Sequence, residues 1–204
     1  MTTNKIYVID YKIGNIGSVV KALKFIGADV IIANQPNDLN NAAKIILPGV
    51  SAFGAAMKNL ETLGFTDAIK NHISKGYFFL GICIGIQLLF TNSAESPNIS
   101  GLNIFDGAVE KFDDNKVITP HMGWNTISKK KDSKLFKGIK DNSFFYFVHS
   151  YYPVPKNLEI ISATANYSLD FCAAIEYNNI FAAQFHPEKS QASGLKFLEN
   201  YLTL

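Results

Sequence analysis

Apolar residues follow two rhythms along this chain. Short apolar runs bounded by turn residues read as buried strands, and apolar spacings of three and four read as helices. Residues 5–10, Lys-Ile-Tyr-Val-Ile-Asp, predict a first strand rich in β-formers. Ile16, Val19, Val20, Leu23 and Ile26 then share one helical face, with Asn15 as the expected N-cap and Gly27 as the C-cap. Residues 29–33 and 44–47 predict two more strands, separated by a polar segment, 34–41, that reads as a loop or a short helix. Residues 55–63 and 65–74 predict helices divided by Gly64, with His72 on the solvated side of the second. The run 78–82 predicts a strand, and 84–90 predicts a helix that begins at once.

The second half is richer in strands. Residues 91–100 read as a loop, and 102–105 and 108–112 as short strands joined at Asp106-Gly107, a hairpin dipeptide. Residues 119–125 read as a structural loop around the single tryptophan, Trp124. Further strands are expected at 144–148, 158–165, 171–176 and 180–185, with a closing helix over 193–204. Strands that are apolar throughout and alternate with helices imply an α/β fold with a mostly parallel central sheet flanked by helices. In such folds the loops at the carboxyl ends of the strands build the site.

Composition narrows the function. With 204 residues, 48% of them hydrophobic, the chain suits one domain over residues 1–204 with a proper core. A net charge of +2 gives no basic field for nucleic acid. Two cysteines, Cys83 and Cys172, are too few for a disulfide framework, and a reducing compartment is expected. No signal-like leader and no apolar run long enough to span a membrane are present, so a cytoplasmic location off the membrane is expected. The histidine and cysteine spacing matches no zinc pattern, and neither a metal nor an organic cofactor is expected. Cys172, in an apolar run, reads as a core residue.

The chemistry concentrates at Gly81-Ile82-Cys83-Ile84-Gly85. A strand that ends at a cysteine, with glycine two positions to either side and a helix following, has the pattern of a nucleophile elbow. Glycines avoid the clash of a tight turn, and a helix N-terminus favours thiolate over thiol. A nucleophilic cysteine needs a base and a group to orient that base. Of the four histidines, His186 alone ends an apolar strand with a carboxylate two residues on, Glu188. Residues two apart in an extended segment face one side, so both side chains can serve one site. A second marked loop, Pro48-Gly49-Val50-Ser51-Ala52-Phe53-Gly54, follows the third strand.

These blocks resemble the class I glutamine amidotransferases, which carry a Gly-x-Cys-x-Gly elbow and a His-Pro-Glu segment. Within that family the chain is similar, over essentially its whole length, to the glutaminase subunits of imidazole glycerol phosphate synthases. Ile9-Asp10-Tyr11 with Gly14-Asn15, Pro120-His121-Met122-Gly123-Trp124-Asn125 and Tyr146-Phe147-Val148-His149-Ser150-Tyr151 carry that likeness. The resemblance implies a flavodoxin-like fold with added antiparallel strands. It implies a catalytic triad of Cys83, His186 and Glu188, and an oxyanion site from backbone at Gly49, Val50 and Ile84. It further implies contacts to the substrate glutamine from Gln87, Ser150 and Tyr151. Ammonia would pass to a (β/α)₈ synthase subunit, with His121, Tyr146 and Lys189 as candidates for the interface. Three positions depart from the family pattern: Lys12 and Ser51 stand where glycine is usual, and Thr119 where a basic residue is usual. A serine at 51 restricts backbone rotation, which implies a shifted basal rate. Three alternatives remain open at this level: a paralogous glutaminase feeding a surface-sugar amidotransferase, a non-catalytic binding module, and a cysteine peptidase on a related fold.

Overall fold

The computed structural model describes residues 4–14 and 16–204; Asn15, the expected cap, lies outside them. Strands β1 (Lys5–Ile9), β2 (Asp29–Ala33), β3 (Lys44–Leu47), β4 (Phe78–Ile82) and, far along the chain, β13 (Ile180–Ala183) pair in parallel in the order β2-β1-β3-β4-β13. The sheet continues antiparallel through β12 (Asp170–Tyr177), β11 (Ile161–Asn166) and β8 (Ser128–Lys129). The α/β architecture and the mostly parallel centre are as the apolar pattern implied.

Strand residues alternate between two apolar layers, because successive side chains leave a strand on opposite faces. Ile6, Val8, Ile46, Leu80 and Ile82 pack on one side with Val19 and Leu23 of α1 (Ile16–Phe25) and Phe197, Leu198 and Tyr201 of α5 (Gln191–Leu202). Tyr7, Ile9, Ile45, Leu47 and Phe79 pack on the other with α2 (Phe53–Thr62) and α3 (Phe65–Ser74). Both faces are covered, which is why these strands read as unbroken apolar runs.

Two smaller sheets sit beside the main one. Strands β10 (Tyr151–Pro155), β6 (Phe105–Lys111) and β5 (Phe90–Ser93) form one, and β7 (His121–Thr126) pairs with β9 (Phe144–His149) to form the other. Four sequence expectations change here. The helix after Cys83, α4, spans only Ile84–Gln87, because Phe90 turns away to open β5 and pair with Phe105 of β6, and β5 runs on into the expected loop 91–100. Asp106-Gly107 lies within one continuous strand; Gly107, at φ +144°, is needed because a Cβ there would stand 2.5 Å from the Val154 carbonyl. Most of the expected loop 119–125 is strand β7. His72 is buried at 4% exposure, with Nε2 3.0 Å from the Phe78 carbonyl, rather than solvated.

The elbow depends on close backbone approach. A Cβ on Gly81 would meet the Gly85 carbonyl oxygen at 2.6 Å, and one on Gly85 would meet the Leu47 carbonyl oxygen at 2.2 Å. Lys12 holds the left-handed backbone (φ +64°) that glycine would adopt freely, anchored by an ion pair to Asp10 at 2.9 Å. Ser51 stays out of that region. Gly85→Ala is expected to destabilise the fold by about 3 kcal/mol through overpacking against fixed backbone. Gly27→Ala, at φ +83° with open space around it, is expected to cost only about 1 kcal/mol. Urea unfolding of the two variants checks the contrast, and equal costs would contradict it.

Candidate active site

Cys83 sits at the carboxyl end of β4, where the chain turns sharply into α4. Its backbone is at φ +56°, ψ −107°, a region that costs about 1–3 kcal/mol and persists only when surroundings enforce it. The enforcement is visible: Cys83 N–H donates to the Ala183 carbonyl at 2.8 Å, and Ile86 N–H donates to the Cys83 carbonyl at 3.1 Å. The elbow is thereby stitched to β13, the strand that leads to His186.

His186 follows that strand and is 2% exposed. Its Nδ1 lies 2.7 Å from Oε1 of Glu188, and both side chains are buried. Pro187 opens a short 3₁₀ turn over Pro187–Lys189 that brings the carboxylate back under the ring. Nε2 is buried without a hydrogen bond and is the nitrogen left for Cys83. Burial presses the imidazolium down, but the Cys83 thiolate and the Glu188 carboxylate outweigh it and push His186 up to about 10. The raised imidazole is therefore a charged proton donor at neutral pH, set beside the cysteine sulfur.

Other side chains position this pair, and sequence reading passed over them. Ser190 Oγ donates to the His186 carbonyl at 2.6 Å and accepts from Tyr146 N–H at 2.9 Å, while His186 N–H donates to the Tyr146 carbonyl at 2.9 Å. The His-Pro-Glu turn is thus clamped to β9. Gln184, fully buried, points Nε2 at Cys83 Sγ from 3.9 Å and accepts from Gln87 Nε2 at 3.1 Å. Its place two residues before His186, in the extended segment that leaves β13, was the signal that could have found it.

An open pocket lies above Cys83. Val50, Ser51, Ile84 and Gln87 line one side, and Ser150 and Tyr151 the other. Gly49 lies just beneath, packed against Ile84. The structure thus brings the loop after β3, the elbow and the turn after β9 to one place. Gln87 is 4% exposed and directs its Nε2 to the Tyr151 carbonyl, at 2.9 Å, as well as to Gln184. Glu95, not picked out from the sequence, also borders the pocket; its Oε2 accepts from Phe53 N–H at 2.6 Å. Nothing local marks it, since it approaches only through the fold of β5.

The expected interface residues separate. Alternation along β7 turns His121 inward, at 4% exposure, and leaves Met122 and Trp124 outside, at 63% and 46%. His121 is therefore a poor surface contact, a correction to the sequence reading. Its Nδ1 lies 3.0 Å from His149 Nε2, and His149 Nδ1 lies 2.9 Å from the Tyr151 carbonyl. Burial lowers His121 to about 4 and His149 to about 3, so both are neutral. The consistent tautomers have His149 Nδ1–H donating to Tyr151 and His121 Nδ1–H donating to His149. Tyr146 is half-buried on β9, with Lys189 Nζ 5.6 Å above its ring and Trp124 edge-on at 6.0 Å. Cys172 is a core residue, its thiol pushed up to about 12 by burial. Among the described residues no cluster of three or more His, Cys, Asp or Glu forms a metal site, and no helix is long and apolar enough to cross a membrane.

Comparison with known proteins agrees with this geometry. The family model "Glutamine amidotransferase class-I" matches residues 7–203. The "Imidazole glycerol phosphate synthase subunit HisH" of Chlorobium chlorochromatii is 46% identical over 98% of this chain and 100% of its own. The subunit of the same name from Aquifex aeolicus is 47% identical over 95% of this chain and 94% of its own. Among solved structures, PurLQS from Thermotoga maritima superposes with a TM-score of 0.76 at 17% identity, covering 98% of this chain and 97% of that one. At that identity the likeness speaks for the fold alone.

The His186 shift has a testable sign. A histidine raised from 6.5 to about 10 in the folded state stabilises the protein fully below pH 6.5, and the contribution is lost as pH rises through about 10. In Cys83→Ala the ring keeps only Glu188 and is expected to titrate at lower pH. NMR titration of the ring proton in both proteins checks this; an unchanged midpoint would break the proposed coupling.

Proposed function

The chain belongs to the class I glutamine amidotransferases, in the group of the HisH subunits of imidazole glycerol phosphate synthase, and on that premise we propose how it works. Residues 1–204 act as one glutaminase unit that hydrolyses glutamine to glutamate and ammonia. The observation that carries the reading is the strained elbow cysteine faced by a buried imidazolium whose other nitrogen is held by a carboxylate.

In this reading the Cys83 thiolate attacks the side-chain carbonyl carbon of glutamine, and a C–S bond forms as the carbonyl electrons move to oxygen. Backbone N–H groups of Val50 and Ile84 stabilise that oxyanion, with Gly49 supplying the freedom to aim them. Fixed donors aimed at the developing charge usually lower the barrier to acyl transfer more than any other feature of a site. His186 gives its proton to the amide nitrogen, the C–N bond breaks, and ammonia leaves. Water then attacks the thioester, with neutral His186 taking a proton, and glutamate departs as the thiolate returns. Glu188 fixes the tautomer and orientation of His186.

The pocket suits a free amino acid. Glu95 offers a carboxylate to the α-ammonium group, and the Ser150-Tyr151 turn, held by Gln87 and His149, offers polar backbone to the carboxylate end. Ammonia passes to a (β/α)₈ synthase subunit as partner in a heterodimer. That partner makes imidazole glycerol phosphate and aminoimidazole carboxamide ribotide for histidine biosynthesis, in the cytoplasm. The exposed face of Met122 and Trp124, with Tyr146 and Lys189 beside it, is the docking surface. Ser51 tightens the loop that carries the oxyanion donors and sets the basal rate.

Glutamate release by the chain together with its synthase subunit tests the reading. Cys83→Ala is expected to abolish it, and Glu188→Gln to lower kcat about ten-thousandfold, the scale on which losing the orienting carboxylate acts in a triad. Glu95→Gln is expected to raise KM for glutamine about tenfold with kcat little changed, since a charge-assisted hydrogen bond to the ground state is weakened. Growth of a histidine auxotroph lacking this subunit decides the pathway; failure to complement, with glutaminase activity intact, would point to a surface-sugar partner instead.

A further inference from the structure

Behind the pocket wall, polar side chains join into a chain that begins and ends on backbone carbonyls. Asn125 Nδ2 donates to the Asn166 carbonyl at 2.8 Å and lies 3.2 Å from His121 Nε2. Asn125 Oδ1 accepts from Thr126 N–H at 2.8 Å, so the amide cannot be turned over. His121 Nδ1 lies 3.0 Å from His149 Nε2, and His149 Nδ1 lies 2.9 Å from the Tyr151 carbonyl. That carbonyl also accepts from Gln87 Nε2 at 2.9 Å, and Gln87 Nε2 reaches Gln184 Oε1 at 3.1 Å. A backbone carbonyl only accepts, so one arrangement of protons satisfies every link. Asn125 gives to His121, His121 gives to His149, and His149 gives to Tyr151. Burial keeps both rings neutral, as this arrangement requires. Both N–H groups of Gln87 are spent on Tyr151 and Gln184, which leaves its carbonyl oxygen to the pocket that it lines.

We infer that His121 and His149 are positioning residues for glutamine recognition: through this one-way chain they hold the Tyr151 carbonyl in place. That carbonyl in turn fixes the Gln87 amide so that an acceptor, not a donor, faces the substrate and takes a hydrogen bond from one of its N–H groups. The inference rests on the glutaminase reading above. His149 ends β9 and Tyr151 opens β10, so the carbonyl lies just past the bend at Ser150 that lines the pocket. Two donors reach it from opposite partners, one on the elbow helix and one on β9. Without the histidine, Gln87 alone would hold this wall. The far end of the chain is equally fixed, because Asn125 is anchored to the Asn166 carbonyl of β11.

Two variants separate the donor from the ring. An asparagine carries Nδ2 where histidine carries Nδ1, so His149→Asn keeps the donor to Tyr151 and His149→Leu removes it. In complex with the synthase subunit, His149→Leu is expected to raise KM for glutamine about tenfold, and His149→Asn to keep it within about threefold of wild type. The value of kcat is expected to stay within about twofold in both, since the triad is untouched. NMR of 15N-labelled rings in the wild-type complex is expected to show His121 and His149 each protonated at Nδ1 alone. Protonation of either at Nε2 overturns the inference. An unchanged KM in His149→Leu overturns it too, as does an equal loss in both variants, which would mark the ring as packing alone. Glutamine binding to the Cys83→Ala complex, measured by calorimetry, repeats the comparison without turnover. If the wild type releases no glutamate but binding still follows the donor, the glutaminase reading fails and the positioning role stands; if glutamine does not bind, both fail.

Discussion

Cys83 is held in a backbone conformation that a residue with a side chain avoids, at φ +56°, and much of the fold can be understood as the means of holding it. The cost, about 1–3 kcal/mol, is offset by parallel pairing on both sides of β4. On one side Leu47 pairs with Gly81, and the Leu47 carbonyl presses against Gly85. On the other, Ala183 pairs with Ile82 and accepts the Cys83 N–H. The two neighbours of β4 are thus β3 and β13, the strands that end in the Gly49-Val50 loop and in His186. The pairing that enforces the strain also delivers the remaining parts of the site, so one set of ladder hydrogen bonds serves both purposes.

Beside the cysteine, charge is carried by one pair of side chains, with the Glu95 carboxylate farther out at the pocket border. The His186–Glu188 pair is buried, and a buried pair gains stability only when its geometry is good and its remaining groups are satisfied. Here the carboxylate sits 2.7 Å from Nδ1, while the free Nε2 is directed at the sulfur. The nearby histidines take the opposite role. His121 and His149 are kept neutral by burial, so they add no competing positive charge beside His186. Their hydrogen-bond chain ends on the Tyr151 carbonyl, which Gln87 also binds. Neutral imidazoles shape the pocket wall, and a single charged one is left for chemistry.

How much of this was legible in the sequence depended on whether the cause was local. The strands of the parallel core read correctly because both their faces are buried, so their apolar runs carry the signal unaided. The elbow glycines and the His-Pro-Glu segment read correctly because each is a short contiguous constraint. Asp106-Gly107 was misread as a hairpin since the reason for Gly107 is a carbonyl distant along the chain, that of Val154. His72 was misread as solvated from its polar neighbours Asn71 and Lys75, whereas β4 covers it. The short α4 was misread because Ile84 to Phe90 is largely apolar, and only the pairing of Phe90 with Phe105 shows where the helix stops. Glu95, Ser190 and Tyr11 meet the site through tertiary contacts that leave no spacing to detect.

The resting arrangement also says where control of the reaction belongs. His186 is held protonated by its surroundings, so the acid does not have to be created when substrate arrives. The elbow is over-determined by ladder bonds and close-packed glycines, and it has little room to move. The loop at Gly49 to Ser51 differs in kind: Val50 is 51% exposed, and the Tyr11 hydroxyl beside Gly49 is unsatisfied. On the proposed reading the Val50 donor lies on an exposed segment beside a buried elbow held by ladder bonds. On the same reading, a partner that acts through that segment leaves the buried triad in place.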